Sequence, residues 1–554
     1  MRKFAVLLMG GLLLALSAFA APSTAADIPP SATTFDQAVD RMLAREQQLV
    51  KTMEQYSPLV ETYIQNMRSD RDLGQTPASD NYYLGRLVFR KGAMVNADYL
   101  GPKSLRRRVL EKLTNLYSLH YLPLGFMEMI LVDGSSFDRG HYDFTFVRRE
   151  FLGDVRCLVI DVNPKPHTGI GRFQGRLWVE DQDYNIVRFN GHYTPAPTLG
   201  FYLHFDSWRT NIQPGLWLPT YVYSEETDMK ARFGRTMRYK SQTRLWAYDA
   251  RHLAGQQEFS EILVDSPDKV ADQSAAAQDA SPLQAERLWQ RQAEDNVVER
   301  LEKAGLLAPP GEVDKVLTTV VDNLEVTNKL NVQPDVRARV LLTAPLESFT
   351  IGHTIVLSRG LIDVLPDEAA LAAVLAHELG HIVLGHNLDT KYAFSDRMIF
   401  EDPQSFQRIK LRHDNHEEAD ADAKALQLLA NSPYQPKLAN AGLFLKAVRE
   451  EERQLPNLLK AHLGDSLSVA SKVRMSQLMQ GAPQLQKRNL DQIAALPLGA
   501  RLKLDPWNDS LQLAKFPKEQ LLSASEKMPF EITPVYPYLT RLPANDKVAN
   551  NTGK

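Results

Sequence analysis

The spacing of apolar and polar residues changes character several times along the chain. Between Thr33 and Met67, Val39, Met42, Leu43, Leu49, Val50 and Met53 recur at helical intervals, which predicts one or two helices. A polar loop is expected from Leu73 to Asn81. From Tyr82 to about Asp249 the pattern shortens into strand-like runs. Arg176–Glu180, the polar turn Asp181–Asn185 and Ile186–Phe189 read as a hairpin, and Phe201–Trp208, Trp217–Tyr223 and Met237–Trp246 as further strands. From Arg251 to Pro282, Gln, Ser, Ala and Asp accumulate and periodicity fades, as in a linker. Helical spacing returns from Leu283 to about Gly481, with strands near Arg337–Leu342 and Thr354–Ser358. The remainder, punctuated by Pro497, Pro506, Pro529, Pro534 and Pro537, is too irregular for a domain and should pack along another part. The expected class is α+β: an antiparallel β-sheet domain with a helical leader over 27–250, a linker over 251–282, a helix-rich domain over 283–484 and an irregular segment over 485–554.

Arg2 and Lys3 precede an apolar run from Phe4 to Ala20, with small residues suited to cleavage near Ala20 or Ala26. Residues 1–26 therefore read as a signal peptide, and the expected location is periplasmic or secreted, with an uncleaved membrane anchor as the alternative. No cysteine follows the run, so lipid modification is not expected, and no later stretch is long and apolar enough for a span. Hydrophobic residues make up 44% and charged residues 24%, which excludes wholesale disorder. A net charge of −3 gives no global field for nucleic acid. The single cysteine, Cys157, excludes an intrachain disulfide and any Cys-rich zinc module, and reads as a buried strand thiol.

The chemistry concentrates in Leu371–His386, Leu-Ala-Ala-Val-Leu-Ala-His-Glu-Leu-Gly-His-Ile-Val-Leu-Gly-His, opened by Pro366, Asp367 and Glu368 as a helix N-terminus favours. His377 and His381 stand at i and i+4 on one helical face, a spacing that lets two imidazoles grip one zinc ion. Glu378, about 100° round the helix, can reach a water activated by the metal. Leu375, Leu379 and Ile382 point the other way, into a core. A hydrolytic zinc needs a third protein ligand, and the candidate is Glu418, in the helical run from Asn415 that ends at Ser432 and Pro433. Asp422 shares its face at i+4 and can accept a hydrogen bond from a ligand imidazole. Glu417 is the rival ligand. Ala419, Ala421, Ala423 and Ala425 would let this helix approach the first closely.

These two elements resemble the zinc metallopeptidases that include the CAAX prenyl proteases, the HtpX-like proteases and soluble periplasmic relatives. Their pattern is HExxH on one helix and ExxAD on another, and Glu418-Ala419-Asp420-Ala421-Asp422 matches the second, which selects Glu418 over Glu417. The resemblance spans about Val316 to Tyr434, includes Leu357-Ser358-Arg359-Gly360-Leu361, and says nothing about the sheet domain. It implies a zincin metallopeptidase fold with one Zn2+ per chain. Two departures stand out: Gly352-His353 replaces a Gly-Gly turn, and no His-Pro precedes Arg474, the nearest histidine being His462. His462 is read as an ordinary surface residue, and His353, His413 and His416 as structural or solvent-facing.

The leading reading is an exported zinc endopeptidase whose partners are polypeptides, among them misfolded exported or outer-membrane proteins. Thr354–Ser358 is expected to pair with an extended substrate by strand addition. The competing reading is a lipid- or protein-binding carrier with an accessory zinc unit, in which Trp178, Trp208, Trp217, Tyr221 and Tyr223 line a groove in place of packing a core. Gly169–Gly175 looks like a dinucleotide loop but leads into a strand, and is set aside. Arg106-Arg107-Arg108 reads as a solvated helical face. Because every zinc-site residue lies beyond the linker, the sheet domain is expected to choose substrates more than to make the site.

Overall fold

The computed structural model describes residues 34–71, 74–90, 93–98, 129–134, 136–195, 203–230, 236–248, 282–386, 411–469, 472–486, 502–505, 510–513, 530–532 and 537–543. Residues 1–33, with the segment read as a signal peptide, Arg106–Arg108 and the linker up to residue 281 lie outside them. The architecture is α+β, with an antiparallel sheet domain followed by a helical part built round a mixed sheet.

The leader is a single helix, α1 (Phe35–Met53), capped by the Thr34 hydroxyl, which accepts from the Gln37 N–H. It ends sooner than helical spacing predicts, because Leu59–Asp70 is strand β1. α1 stops at Met53, ahead of Ser57-Pro58, and Leu59 to Met67 is buried at every position, so the run lacks the alternation that marks a half-buried strand. The expected polar loop is likewise strand: β2 begins at Gly74 and pairs with β1 along its length.

Among the described residues ten strands form one sheet in the order β3-β2-β1-β10-β9-β8-β7-β6-β5-β4. The strands after β2 are β3 (Ala93–Asp98), β4 (Tyr142–Leu152), β5 (Val155–Pro164), β6 (Arg172–Glu180), β7 (Ile186–Thr194), β8 (Phe205–Gln213), β9 (Leu216–Lys230) and β10 (Thr236–Trp246). β10 closes back on β1, so the first strand becomes central. The predicted hairpin is β6–β7, and its turn is fixed by one side chain: the buried Glu180 carboxylate accepts from the N–H groups of Gln182, Asp183 and Asn185. Cys157 lies buried in β5, where burial pushes its thiol up to about 12.

Both faces of this sheet carry packed side chains, except along the edge strand β4, which is largely exposed. α1 covers one, with Val39, Met42 and Leu43 against Val60, Ile64, Leu177, Val179, Leu218 and Val222. It is fastened by a buried bidentate pair, Arg209 donating to both Glu46 oxygens at 2.6 and 2.7 Å. The opposite face carries Trp178, Trp208, Trp217, Tyr221 and Tyr223, all buried in a core continuous with the helical part. The C-terminal segment joins it: Phe530, Ile532 and Leu539 are in that core, and the Gln65 side chain bonds the backbone at Phe530 and Ile532.

The helical part contains α2 (Pro282–Lys303), α3 (Glu312–Thr327), α4 (Arg359–Val364), α5 (Glu368–Leu384), α6 (Asn415–Ala430), α7 (Leu438–Glu451) and α8 (Pro456–Leu459). Its sheet runs β11 (Arg337–Leu341), β13 (Thr354–Ser358), β12 (Glu347–Ile351), β14 (Asp465–Ser466). β13 lies between β11 and β12 and is paired on both sides, so it does not offer an edge to a substrate. β12 borders the histidine helix and pairs with β14 at Glu347 and Ser348. Sequence reading missed β12, since Glu-Ser-Phe-Thr-Ile has no strand signature although all five residues are buried.

Candidate active site

α5 begins where Asp367 accepts from the Ala370 N–H at 2.9 Å and ends at Gly385, whose φ of 73° is the left-handed cap that glycine favours. From Ala369 to His381 every residue is buried, so the helix threads the core and carries its polar residues inside. α6 starts with a reciprocal cap: Asp414 accepts from the Glu417 N–H, and Glu417 accepts from the Asp414 N–H. That duty occupies the rival Glu417 at the helix end and leaves Glu418 facing α5.

The two helices meet closely. A Cβ on Gly380 would stand 2.9 Å from the Ala421 carbonyl oxygen, so only glycine permits this approach. Of the four alanines, Ala421 and Ala425 line the contact and are fully buried. Ala419 and Ala423 are not fully buried, because a helix repeats every third or fourth residue and not every second.

Ligand-type atoms of His377, His381 and Glu418 all lie within 4.8 Å of one another. Glu418 stands 3.6 Å from His377 Nε2 and 3.5 Å from His381 Nε2, and the two Nε2 atoms are 3.1 Å apart. Behind His377, Nδ1 is 2.9 Å from Asp422 Oδ1, and the other Asp422 oxygen accepts from the Met475 N–H at 2.8 Å. Burial drives His381 down to about 4. For His377, burial and Arg474 push downward, but Asp422 and Glu418 prevail and raise it to about 9. Burial raises the Glu418 carboxyl, yet Arg474 and the two histidines outweigh it and hold it well below the usual range.

Glu378 is fully buried. Its Oε1 accepts from the Ser348 hydroxyl at 2.7 Å and from Arg474 Nη1 at 3.1 Å, while Oε2 is buried with no partner among the described residues. A buried carboxylate oxygen left unmatched is costly unless something polar meets it in the working state. Two imidazoles and a carboxylate converging on one point, an acid behind one imidazole, and a carboxylate with a free oxygen beside them form a donor set suited to zinc and its water.

Sequence reasoning gave no site role to several groups here. Arg474 reaches Glu378, Glu418 at 2.8 Å and Asp465 at 3.8 Å, and these carboxylates keep it charged against burial. His413, expected to be peripheral, stacks on His381 with ring centroids 3.8 Å apart, and its Nδ1 is 2.9 Å from Asp465 Oδ2. His386 Nδ1 approaches His381 Nδ1 at 2.9 Å. His416 is exposed beside Asp420, as expected. His462 is not a plain surface residue: its ring lies 4.6 Å from Tyr82 of the sheet domain, and its N–H donates to Glu347. His386 closes the histidine helix just past its Gly385 cap, whereas Arg474, His413 and His462 come from segments distant in sequence, where no local signal marks them.

Residues 311–490 match the profile of Peptidase family M48. No curated protein matches the chain. Among solved structures, a DUF1329 family protein from Desulfovibrio piger is 12% identical over 40% of this chain and 96% of its own, with a TM-score of 0.21. A structure described as an outer membrane lipoprotein-sorting protein domain from Vibrio parahaemolyticus is 9% identical over 40% and 96%, with a TM-score of 0.22. LprF from Mycobacterium bovis is 9% identical over 38% and 93%, with a TM-score of 0.15. At these TM-scores no inference about fold or ligand follows. The profile match contains every residue of the histidine–glutamate constellation, and over residues 311–490 the chain carries a domain of Peptidase family M48, a family of zinc metallopeptidases.

Proposed function

We propose that this metallopeptidase is a zinc-dependent endopeptidase acting on exported polypeptides, misfolded ones among them, in protein quality control. The observation that carries the reading is Glu378: one oxygen is anchored by Ser348 and Arg474, and the other is buried and unmatched beside the His377, His381 and Glu418 cluster. His377, His381 and Glu418 would hold a zinc ion, which when bound would supply polarisation of the scissile carbonyl and lower the pKa of a water to about 7. Glu378 Oε2 takes the proton of the attacking water and delivers it to the leaving amine. Asp422 fixes the His377 ring so that Nε2 faces inward. Buried Arg474, beside Glu378 and Glu418, keeps a positive charge next to the group that gains and loses the proton.

Export rests on Arg2, Lys3 and the apolar run Phe4–Ala20. Among the described residues no helix is long and apolar enough to cross a membrane. Against the carrier reading, the aromatics it would place in a groove, Trp178, Trp208, Trp217, Tyr221 and Tyr223, are buried in the shared core. The test is cleavage of unfolded casein by the full chain, with chelator and after zinc is restored. Loss on chelation and recovery with zinc support the proposal; cleavage that persists in chelator, or no cleavage by the zinc-loaded protein, overturns it.

A further inference from the structure

The sheet domain reaches the active site through buried polar bonds. In the centre of the interface, Glu61 of β1 is paired with Arg244 of β10, accepts from the Tyr82 hydroxyl at 2.9 Å, and accepts from the Ala344 N–H at 2.6 Å. Arg244 also donates to the Leu342 carbonyl. The two strands thereby grip residues 342–344, the approach to β12. Further along the interface, Asp80 of β2 takes hold of α8: its Oδ1 accepts from the Asn457 N–H at 3.0 Å and its Oδ2 from the Leu458 N–H at 2.7 Å. The Leu458 carbonyl in turn accepts from the Leu346 N–H at 2.7 Å, which ties the two gripped segments together.

Each grip leads along the chain to residues of the site. After Leu346 comes Glu347, fully buried, whose Oε2 accepts from the N–H groups of His462, Leu463 and Gly464 at 2.8 to 3.0 Å. Next is Ser348, which donates to Glu378. At the far end of the loop held by Glu347 is Asp465, which accepts from both the backbone and the ring of His413 and lies beside Arg474. The chain of contacts therefore runs from the sheet domain to the anchored oxygen of Glu378 by way of buried, charge-assisted bonds, each of which loses its partner abruptly if displaced.

We propose that the sheet domain is a positioning element of the active site, with Asp80 and the Glu61–Arg244 pair holding β12 and the 457–465 loop so that Ser348 and Asp465 stand where Glu378, His413 and Arg474 need them. The inference rests on the peptidase reading above for its kinetic consequence, but not for its structural one. It assigns to the N-terminal domain a part in catalysis that its distance along the chain from the zinc-site residues conceals. The zinc ligands themselves sit on α5 and α6, which Asp80 does not touch, so metal binding and positioning separate.

The test uses full-length protein carrying Asp80→Ala, which removes both acceptors, and Asp80→Asn, which keeps one. In Asp80→Ala, amide exchange should rise in peptides covering 344–349 and 457–466 while α5 and α6 keep wild-type protection, a readout that needs no activity. Zinc content should stay at the wild-type value, and kcat on a short unstructured peptide should fall about 10-fold to 100-fold with KM changed by less than about 3-fold. Asp80→Asn should lie between the two on both measures, and it stands in if Asp80→Ala does not fold. Exchange that rises uniformly over the molecule, or unchanged exchange at 344–349 and 457–466, overturns the proposal. So does an unchanged kcat at full zinc loading. If the wild-type protein cleaves nothing, the peptidase reading fails, and the exchange pattern still decides whether the sheet domain holds these segments.

Discussion

Gly380 lies directly against Ala421, and a Cβ on the glycine would stand 2.9 Å from the alanine's carbonyl oxygen and 3.3 Å from its Cα. Backbone, unlike a flexible side chain, cannot yield cheaply, so Gly380→Ala should push α6 away from α5. Glu418 lies three residues before Ala421 on the same helix and moves with it. The expected cost in stability is about 1–3 kcal/mol, with zinc lost more readily on dialysis. Thermal melting and metal analysis check both; a variant as stable and as metal-retentive as the wild type would mean that the helices pack less tightly than this contact requires.

Glu378→Gln should keep zinc if, as proposed, the residue is the base and not a ligand. The amide can still occupy the place beside Ser348, but it cannot accept a proton from water, so turnover on unfolded casein should fall by about 10²-fold to 10⁴-fold or more. Normal turnover with normal zinc content would remove Glu378 from the mechanism.

Glu418→Ala and Asp422→Ala should behave differently. Losing Glu418 deletes a charged ligand and leaves buried Arg474 without its 2.8 Å partner, so zinc should be lost during dialysis. Losing Asp422 frees His377 Nδ1 and should weaken zinc affinity about 10-fold to 100-fold. Glu417→Ala should cost helix stability alone, since its carboxylate caps α6. Zinc release by Glu417→Ala and not by Glu418→Ala would shift the register of the second motif.

Cys157 offers a pH-linked probe of the sheet. Burial lifts its thiol to about 12, so the native protein should react with iodoacetamide only slowly at about pH 8, and labelling should report opening of β5. Because the folded value is raised, the stability linked to this group is present below the unfolded thiol value and declines as pH rises from there towards about 12. Rapid labelling without unfolding would show that β5 is exposed in solution.

Sequence reveals what is periodic or contiguous here. The histidine helix is legible because His377, Glu378 and His381 lie within little more than one turn, and the β6–β7 hairpin because a polar turn separates two apolar runs. β1 is hidden by burial on both faces, which erases the alternation that distinguishes a strand from a helix. β12 is hidden because its Glu347 and Ser348 find buried partners that only the tertiary structure supplies. Arg474, His413 and Asp465 lie on separate loops, and their meeting is a property of topology with no local spacing to announce it.

Removing residues 1–282 tests how far the peptidase part stands alone. The position of its ligands along the chain predicts a self-sufficient unit, yet Trp246 Nε1 donates to the Gly305 carbonyl at 2.7 Å and Arg86 to the Ala304 carbonyl at 3.0 Å. Both carbonyls would lose these donors in the fragment, and the apolar face around Leu306, Leu307 and Leu458, now part of the shared core, would meet water. Burying a large aromatic or aliphatic side chain is worth about 1.5–3 kcal/mol, so exposing several such contacts should outweigh what a domain of this size can spare. A chain starting near Leu283 should therefore be poorly soluble and melt well below the intact protein, even with zinc present. Where soluble material is obtained, it should cleave short peptides more slowly than the full chain, because β12 and the 457–465 loop have lost Glu61 and Asp80. A soluble, zinc-loaded fragment with the melting temperature and peptide turnover of the full chain would show that the two parts are joined without being coupled.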